Sequence, residues 1–579
     1  MLLQALREYS FRIKDLGPSM YKLTPIRYEV QLDVEGNPIG LVAMSGSERN
    51  ADRGLPLFAP SIVRSSGITP LLLTDRIDYA LGWGEGRRVA QAHQAFIDLV
   101  NDCVVATDNN DVRAVATYLA LPPESRIPMP DVAESQAYVT FSVAGRRPID
   151  AQVVRDFWAV RAIRTIMAND SEDMQCIVCD EQRPPVRLLP FMIMGLKPVG
   201  GQSSGTALIS ANSDVSESYG LENNLIAPTC SECAERVTKA LNTLIEDESS
   251  RLYLGRVLYV YWTREPTDFA WETLLIGADS GQVRALLTAA QRGRIGATVL
   301  DSTSFYCVAL SGSVGRVVVR DWIDITVSEA RQNLARYFML QRLIDARSGE
   351  QRFLGIRSLT NATVREGGKE GPLPDVGQAL MRVALRGGAL PITLVALVMR
   401  RVRAEQGVTY PQAALIKMVL ASQESEGWET YMVGLDESNR DPAYLCGRLL
   451  AVLDAIQRAA LGQRNATIID RFFGSASTAP LSVFGRLTRG AQPHLARLRR
   501  DRPGTYIALD RQLTEITAAI DAFPRTLSLR QQGMFVLGYY HQKAADTEAW
   551  NQRTAARRAA HANPSPEIED ETTAEENEG

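Results

Sequence analysis

Histidine is nearly missing from this chain: there are four in 579 residues, and none stands beside an aspartate. A histidine-rich metal centre of the nuclease or helicase kind therefore has no support. No G-x-x-x-x-G-K-[ST] loop occurs, which argues against a P-loop NTPase. Long apolar runs are also absent. The longest, Leu390 to Met399, falls far short of the roughly 20 residues a spanning helix needs. Arg7, Glu8, Arg12, Lys14 and Asp15 interrupt the early apolar residues, so no signal peptide is legible. These absences read as a cytoplasmic protein with no membrane partner. Cysteine is scarce, with seven in all, and in a reducing compartment they do not suggest a disulfide framework.

What is present is ordinary in bulk and uneven in detail. The apolar fraction of 45% and charged fraction of 22% are those of a globular protein, and the length suggests roughly three to five domain-sized units. The net charge of −4 conceals an asymmetry: residues 567–579 carry seven acidic side chains and no basic one. Residues 376–502 hold 17 Lys/Arg against 10 Asp/Glu, an excess able to meet phosphate, although such runs are commonly just solvated faces.

Four of the cysteines form two pairs, Cys176-Ile-Val-Cys179 and Cys230-Ser-Glu-Cys233. Each pair can offer two thiolates to one tetrahedral Zn²⁺, because two intervening residues let the backbone curl round the metal. Four thiolates leave no open coordination position, so such a zinc is structural. The 50 residues between Cys179 and Cys230 are longer than a usual ribbon spacing, and packing or a redox pair is the competing reading. Cys103, Cys307 and Cys446 lie in apolar surroundings and read as packing residues.

Inside the clamp lies Gly201-Gln-Ser-Ser-Gly205, which matches the G-x-S-x-G elbow of serine hydrolases. An elbow needs a clean strand before it, and Lys197-Pro198 interrupts the apolar run there. Any triad would also draw its base from His494, His541 or His561, in predicted helices or the tail. The turn-rich stretch Arg64-Ser-Ser-Gly-Ile-Thr-Pro70 has backbone amides and small side chains suited to phosphate, or is an ordinary loop.

The expected fold class is α+β. A mixed N-terminal region, 1–365, contains a zinc-ribbon-like insertion at 176–233 and is followed by an all-α bundle at 376–546 and a disordered acidic tail at 547–579. Tyr28, Val30, Leu32 and Val34 alternate with polar residues and, with Ile39 to Ala43, predict a hairpin. Helices are expected over 86–101, near 150–168 and over 233–245, and strands over 252–262, 304–310 and 315–320. His93, alone in its helix, reads as structural. Composition changes at Arg365-Glu-Gly-Gly-Lys-Glu-Gly-Pro-Leu-Pro374, a linker by its Gly, Pro and charge content. Beyond it, Pro391 starts a helix, Asp441-Pro442 gives an N-cap with proline at the first helical position, and Gly462 ends that helix. Leu509, Leu513, Ile516 and Ile520 make a further stripe, and Ser528-Leu-Arg-Gln531 has capping-box spacing.

A set of segments resembles one family, the large subunit of the type I-C CRISPR Cascade surveillance complex. They are Met1-Leu-Leu-Gln-Ala-Leu6, Arg64 to Pro70, Asp78-Tyr-Ala-Leu-Gly82, Gln202-Ser-Ser-Gly205, Asn212, Ser218-Tyr-Gly220, Ala227-Pro228 and Thr238-Lys-Ala-Leu-Asn242. The helical part adds Val408 to Lys417, Pro442 to Arg448, Asn465-Ala-Thr467, Phe473 to Ser477 and Gly538-Tyr-Tyr-His-Gln542. The resemblance implies a non-catalytic subunit of an RNA-guided antiviral complex. It would read the protospacer-adjacent motif, help open the DNA, guide the displaced strand and recruit the helicase-nuclease. The implied partners are the crRNA-containing backbone and 5′-handle-binding subunits, the small subunit, target double-stranded DNA and the displaced strand. The C-terminal bundle resembles the small subunit. The two C-x-x-C pairs are not a fixed feature of the family, so zinc is argued from spacing alone.

On this reading the DNA-binding candidates are Arg64, Ser65, Ser66, Lys197, Gln202, Ser203, Ser204, Asn212 and Tyr219. In the bundle they are Arg400, Arg401, Arg497 and Arg500, with Arg403, Arg499 and Arg502 nearby. Gln and Asn offer donors and acceptors to base edges, and arginines can track phosphates. Cys176, Cys179, Cys230 and Cys233 are the metal candidates. A zinc-stapled serine hydrolase and a scaffold without direct DNA contact remain as alternatives.

Overall fold

The computed structural model describes residues 2–45, 54–64, 67–128, 136–167, 173–211, 215, 217, 219–267, 273–291, 302–313, 315–365, 373–462 and 467–562. Its residues group into two compact units, Met1–Arg264 with Tyr306–Asp324, and Glu265–Phe305 with Ile325–Gly579.

The first unit is built on two four-stranded sheets. In one, the strand order is Pro38–Ala43, Tyr28–Leu32, Tyr138–Val143, Thr74–Arg76. The hairpin expected from alternation is there, with Tyr28 opposite Ala43, and Tyr28–Leu32 also pairs in parallel with Tyr138–Val143. Asp33 closes its turn, its carboxylate accepting from the Glu35 and Asn37 amides, while Gly36 takes φ 90°. Helices Arg87–Thr107, Asn110–Ala120 and Gln152–Ile166 bury Phe96, Leu99, Val100, Val115, Tyr118 and Trp158 against the sheet. Phe141 sits among them, 6.3 Å from Phe96 and 6.1 Å from Tyr118.

The second sheet runs Arg316–Thr326, Ser304–Ser313, Val257–Thr263, Arg251–Leu254. The single strand expected over 252–262 is two strands: Leu254 pairs with Val257 across a turn at Gly255 and Arg256, with Gly255 at φ 60°. Gly255-Arg256 breaks the apolar run at the spacing of a two-residue hairpin, a signal that a single-strand reading passes over. Helices Leu2–Ser10 and Ser231–Glu246 belong with this sheet and share its core, through Leu6, Val237, Leu241 and Leu244.

The second unit is helical. Asp441 caps Pro442–Leu461 by accepting from the Ala443 and Tyr444 amides, and Gly462 closes it. Thr409 and Thr467 open Tyr410–Ser422 and Ile468–Ala476 with capping boxes, and Ser528 and Gln531 make the reciprocal contacts that begin Leu529–Ala562. Tyr410–Ser422 is buried nearly all round.

Two boundaries differ from composition. Packing puts helices Val327–Gln341 and Ile356–Asn361 with the helical unit, upstream of the Gly/Pro-rich stretch at 365–374, because their apolar faces are covered by Pro374–Arg386 and Tyr410–Ser422. The last helix continues to Ala562 although the sequence places a disordered tail from 547; Thr554-Ala-Ala-Arg-Arg-Ala-Ala560 is rich in strong helix formers.

Candidate metal centre and nucleic-acid interface

The first cysteine pair sits on a tight turn. Strands Met174–Gln175 and Gln182–Arg183 pair antiparallel, and between them the Asp180 amide donates to the Cys176 carbonyl while Asp180 takes φ 66°. The second pair is placed differently from a ribbon, in which a second hairpin would carry it. Here Cys230 is the N-cap of helix Ser231–Glu246 and Cys233 lies in its first turn. The two halves are joined by backbone, Ile177 N–H to Pro228 O and Val186 N–H to Thr229 O, both 2.9 Å. Arg183 adds ion pairs to Glu181 and Glu232.

All four sulfurs lie within 4.8 Å of one another, with Cys179 and Cys230 3.9 Å apart. Zn–S bonds of about 2.3 Å in a tetrahedron put sulfurs roughly 3.8 Å apart, so the donor set and its spacing fit zinc. Cys176, Cys230 and Cys233 are buried and Cys179 is half-buried. The Cys230 thiol is drawn down to about 5, chiefly by its hydrogen bond with Cys233. Cys233 is pushed up, first by that same bond and then by burial, and desolvation raises Cys179. A bound cation would favour the thiolate at all four.

The helix that carries the second pair also grips the Gly/Ser loop. Asn242 donates to the Met192 carbonyl and accepts from the Met194 amide. Ile193 and Thr206 exchange two backbone hydrogen bonds of 2.9 Å, closing residues 194–205 into an excursion. Ala207 then joins the edge strand Arg316–Thr326, bonded to Gly315 and Val317. The loop lies on the sheet backbone to backbone: a Cβ on Gly312 would come 2.2 Å from the Gly201 nitrogen. Lys197, Gln202, Ser203 and Ser204 are exposed on this platform, and Tyr219 is almost wholly exposed. Ser203 occupies a turn after the short 3-10 helix Lys197–Val199, not a strand-to-helix elbow.

Arg64 and Ser204, 140 positions apart in sequence, line one cleft of about 530 Å³. Lys22, Arg76, Tyr138 and Asn242 line it too, with Asp15 and Glu246 as its carboxylates. Arg64 is not a free cation. It pairs at 2.5 Å with Asp75, whose side chain is fully buried, and its guanidinium lies 4.4 Å from the Tyr79 ring centre. Burial pushes the Asp75 carboxyl up in spite of Arg64 and the Leu71 and Arg76 amides. Lys22 is lowered by desolvation and by the Arg64 charge. His93 is structural: its ring bonds the Tyr79 carbonyl and the Arg126 guanidinium, and burial lowers its pKa. Ser65, Ser66 and Asn212 lie outside the described residues.

In the helical unit, Arg400 is exposed and Arg401 is paired with Glu405. Arg497 and Arg500 both reach Asp501, at 3.4 and 2.8 Å. Four residues of use to an anion were missed from sequence. Arg486 and Arg489 share the outer face of helix Phe484–Asp501 with Arg497 and Arg500, a helical period that was legible. Lys22 and Arg76 reach the cleft only through sheet pairing, for which no local signal exists.

A family model described as CRISPR-associated protein (Cas_Csd1) matches residues 4–546, and the chain belongs to that family of CRISPR-associated proteins. It is a large subunit of the type I-C Cascade, and as such works with the other Cascade subunits and crRNA. A search of curated proteins gives no match. Among the described residues no helix is long and apolar enough to cross a membrane.

Proposed function

We propose that this subunit reads the protospacer-adjacent motif with the loop and cleft of its first unit and helps to open the duplex there. The displaced strand then follows the arginine face of its second unit, and a surface of the protein recruits the helicase-nuclease. Guide pairing supplies sequence specificity and the protein supplies motif readout, a division described for a different effector class. The protein performs no catalysis on this reading. Cys176, Cys179, Cys230 and Cys233 hold a structural zinc that fixes helix Ser231–Glu246, which through Asn242 fixes the loop.

The observation that carries the reading is the meeting of Arg64 and Ser204 at one cleft, with Lys197, Gln202 and Ser203 exposed on the loop that carries Ser204. These side chains combine charge for phosphate with donors and acceptors for base edges, on backbone held rigidly by the sheet. Arg64 itself is a poor test. Its removal strands the buried Asp75, an error of roughly 3–5 kcal/mol in stability that would mimic a binding defect. The better variant is Lys197→Ala with Gln202→Ala and Ser204→Ala, all exposed. In assembled complex its affinity for a target with the correct motif should fall about tenfold or more, while that for a motif-scrambled target changes little. Unchanged discrimination between the two targets would overturn the assignment.

A further inference from the structure

The outer face of helix Phe484–Asp501 holds an unusual concentration of one charge. Phe484, Leu487, Ala491, Leu495 and Leu498 are its buried stripe. At 100° per residue, Arg486, Arg489, Arg497 and Arg500 fall together on the opposite side, within about 80° of arc and roughly 21 Å of helix length. Among the described residues Asp501 is the one carboxylate paired with them, shared by Arg497 and Arg500. Arg486 lies over the Phe472 ring, and Arg489 has no acidic partner among the described residues.

The same unit ends in the opposite charge. Residues 567–579 carry seven carboxylates and no cation. They follow a helix whose Asp546 accepts a hydrogen bond from Gln512, on the helix adjoining the arginine-rich one. From Asp546 that helix continues to Ala562, roughly 24 Å. The 17 residues after it can span on the order of 55–60 Å when extended, more than twice that distance. The tail therefore has the length to turn back along the helix past Asp546, where the helix adjoining the arginine-rich one is met. The family match ends at residue 546 and does not extend over this segment.

We infer that residues 567–579 dock on the Arg486, Arg489, Arg497 and Arg500 face and compete there with single-stranded nucleic acid. The tail is an internal polyanion that weak, nonspecific strands must displace. A strand delivered at high local concentration by guide pairing displaces it readily, because the second binding event is intramolecular. The inference rests on the proposed role of this face in holding the displaced strand.

The test uses the full chain, a variant with every Glu and Asp of 567–579 changed to Gln or Asn, and a fluorescent peptide of residues 563–579. Neutralising the tail should tighten binding of a single-stranded DNA about tenfold at roughly 50 mM salt, and the gain should shrink toward nothing near 0.5 M. The peptide should bind the neutralised chain, be displaced by DNA, and lose binding when Arg486, Arg489, Arg497 and Arg500 are all changed to Gln. Tail neutralisation without effect, or an undiminished effect in the four-Gln variant, overturns the docking; the latter is general charge repulsion. If instead the four-Gln change leaves DNA binding untouched while peptide binding is lost, docking stands and the strand-holding role of the face is wrong. The competition then goes with it.

Discussion

At the scale of single residues, the largest conflict between chemistry and environment is Lys417. It lies on helix Tyr410–Ser422 with no exposed surface, and its ammonium has one recorded hydrogen bond, a long 3.5 Å contact with the Met339 carbonyl. Desolvation, with help from the Arg342 charge, lowers its pKa from 10.5 to about 7. His541 is buried as well, lowered to about 3 by desolvation and then by Lys417, against a backbone hydrogen bond with Met432 that raises it; its Nδ1 meets the Tyr444 hydroxyl. A lysine with a depressed folded pKa binds its proton more tightly in the unfolded chain. Its contribution therefore makes stability rise between pH 7 and 10.5, and the full penalty applies below pH 7. Lys417→Met keeps an unbranched side chain one atom shorter and removes the charge. It should stabilise the protein by roughly 2–4 kcal/mol at pH 6, with the gain shrinking toward zero by pH 10. Urea titrations at the two pH values measure this, and a loss of stability at both would show that the ammonium has a favourable partner.

At the scale of elements, Pro442–Leu461 and Leu529–Ala562 touch through their backbones. A Cβ on Gly447 would sit 2.0 Å from the Phe535 carbonyl oxygen, and one on Gly538 would sit 2.1 Å from that of Tyr444. Both obstacles are helix backbone, which cannot move aside as a side chain would. Gly447→Ala should cost roughly 2–3 kcal/mol. Gly490→Ala, in an open position on Phe484–Asp501, should instead gain about 0.5–1 kcal/mol from helix propensity. Equal effects in denaturant titration would show that the crossing is looser than these distances. The first of these helices was legible in the sequence, since Asp441-Pro442, Gly462 and the apolar stripe Leu445, Leu449, Val452, Leu453 and Ile456 are local signals. Their crossing was not, because nothing in either stripe names its partner. The segments that carry the family resemblance are explained by the same contacts. Gly538, Tyr540, His541 and Gln542 meet Tyr444, Ala346 and Arg448 at or near this crossing, and Asn242 pins the loop. Part of what resembled a nucleic-acid subunit in sequence is the packing that its fold requires.

At the scale of the whole molecule, the chain leaves its first compact unit after Arg264, returns for Tyr306–Asp324, and leaves again. Composition changes near residue 365 marked a change of character, but the division is set by which apolar faces cover each other, and that is nonlocal. The candidate site divides in the same way. The C-x-x-C spacing announced the four-cysteine cluster, whereas the cleft joining Arg64 to Ser204 depends on two sheets and a helix coming together around the loop. The cysteines are thereby linked to the loop by one element: Cys230 caps Ser231–Glu246, Cys233 lies in its first turn, and Asn242, nearly three turns on, holds Met192 and Met194. Zinc removal should therefore act on part of the molecule. With chelator, or in Cys233→Ser, bound zinc should fall from about one equivalent per chain to under half. Amide exchange should then accelerate at least about tenfold in Met174–Arg183, in residues 193–206 and in the first turns of Ser231–Glu246. Pro442–Leu461 and the portion of Leu529–Ala562 that crosses it belong to the other unit and should keep their protection. Motif-dependent target affinity should fall along with the exchange protection of the loop. Loop protection that survives full loss of zinc would separate the metal from the reader and leave Asn242 and the Gly200-Gly201 contact with Gly312 as sufficient supports.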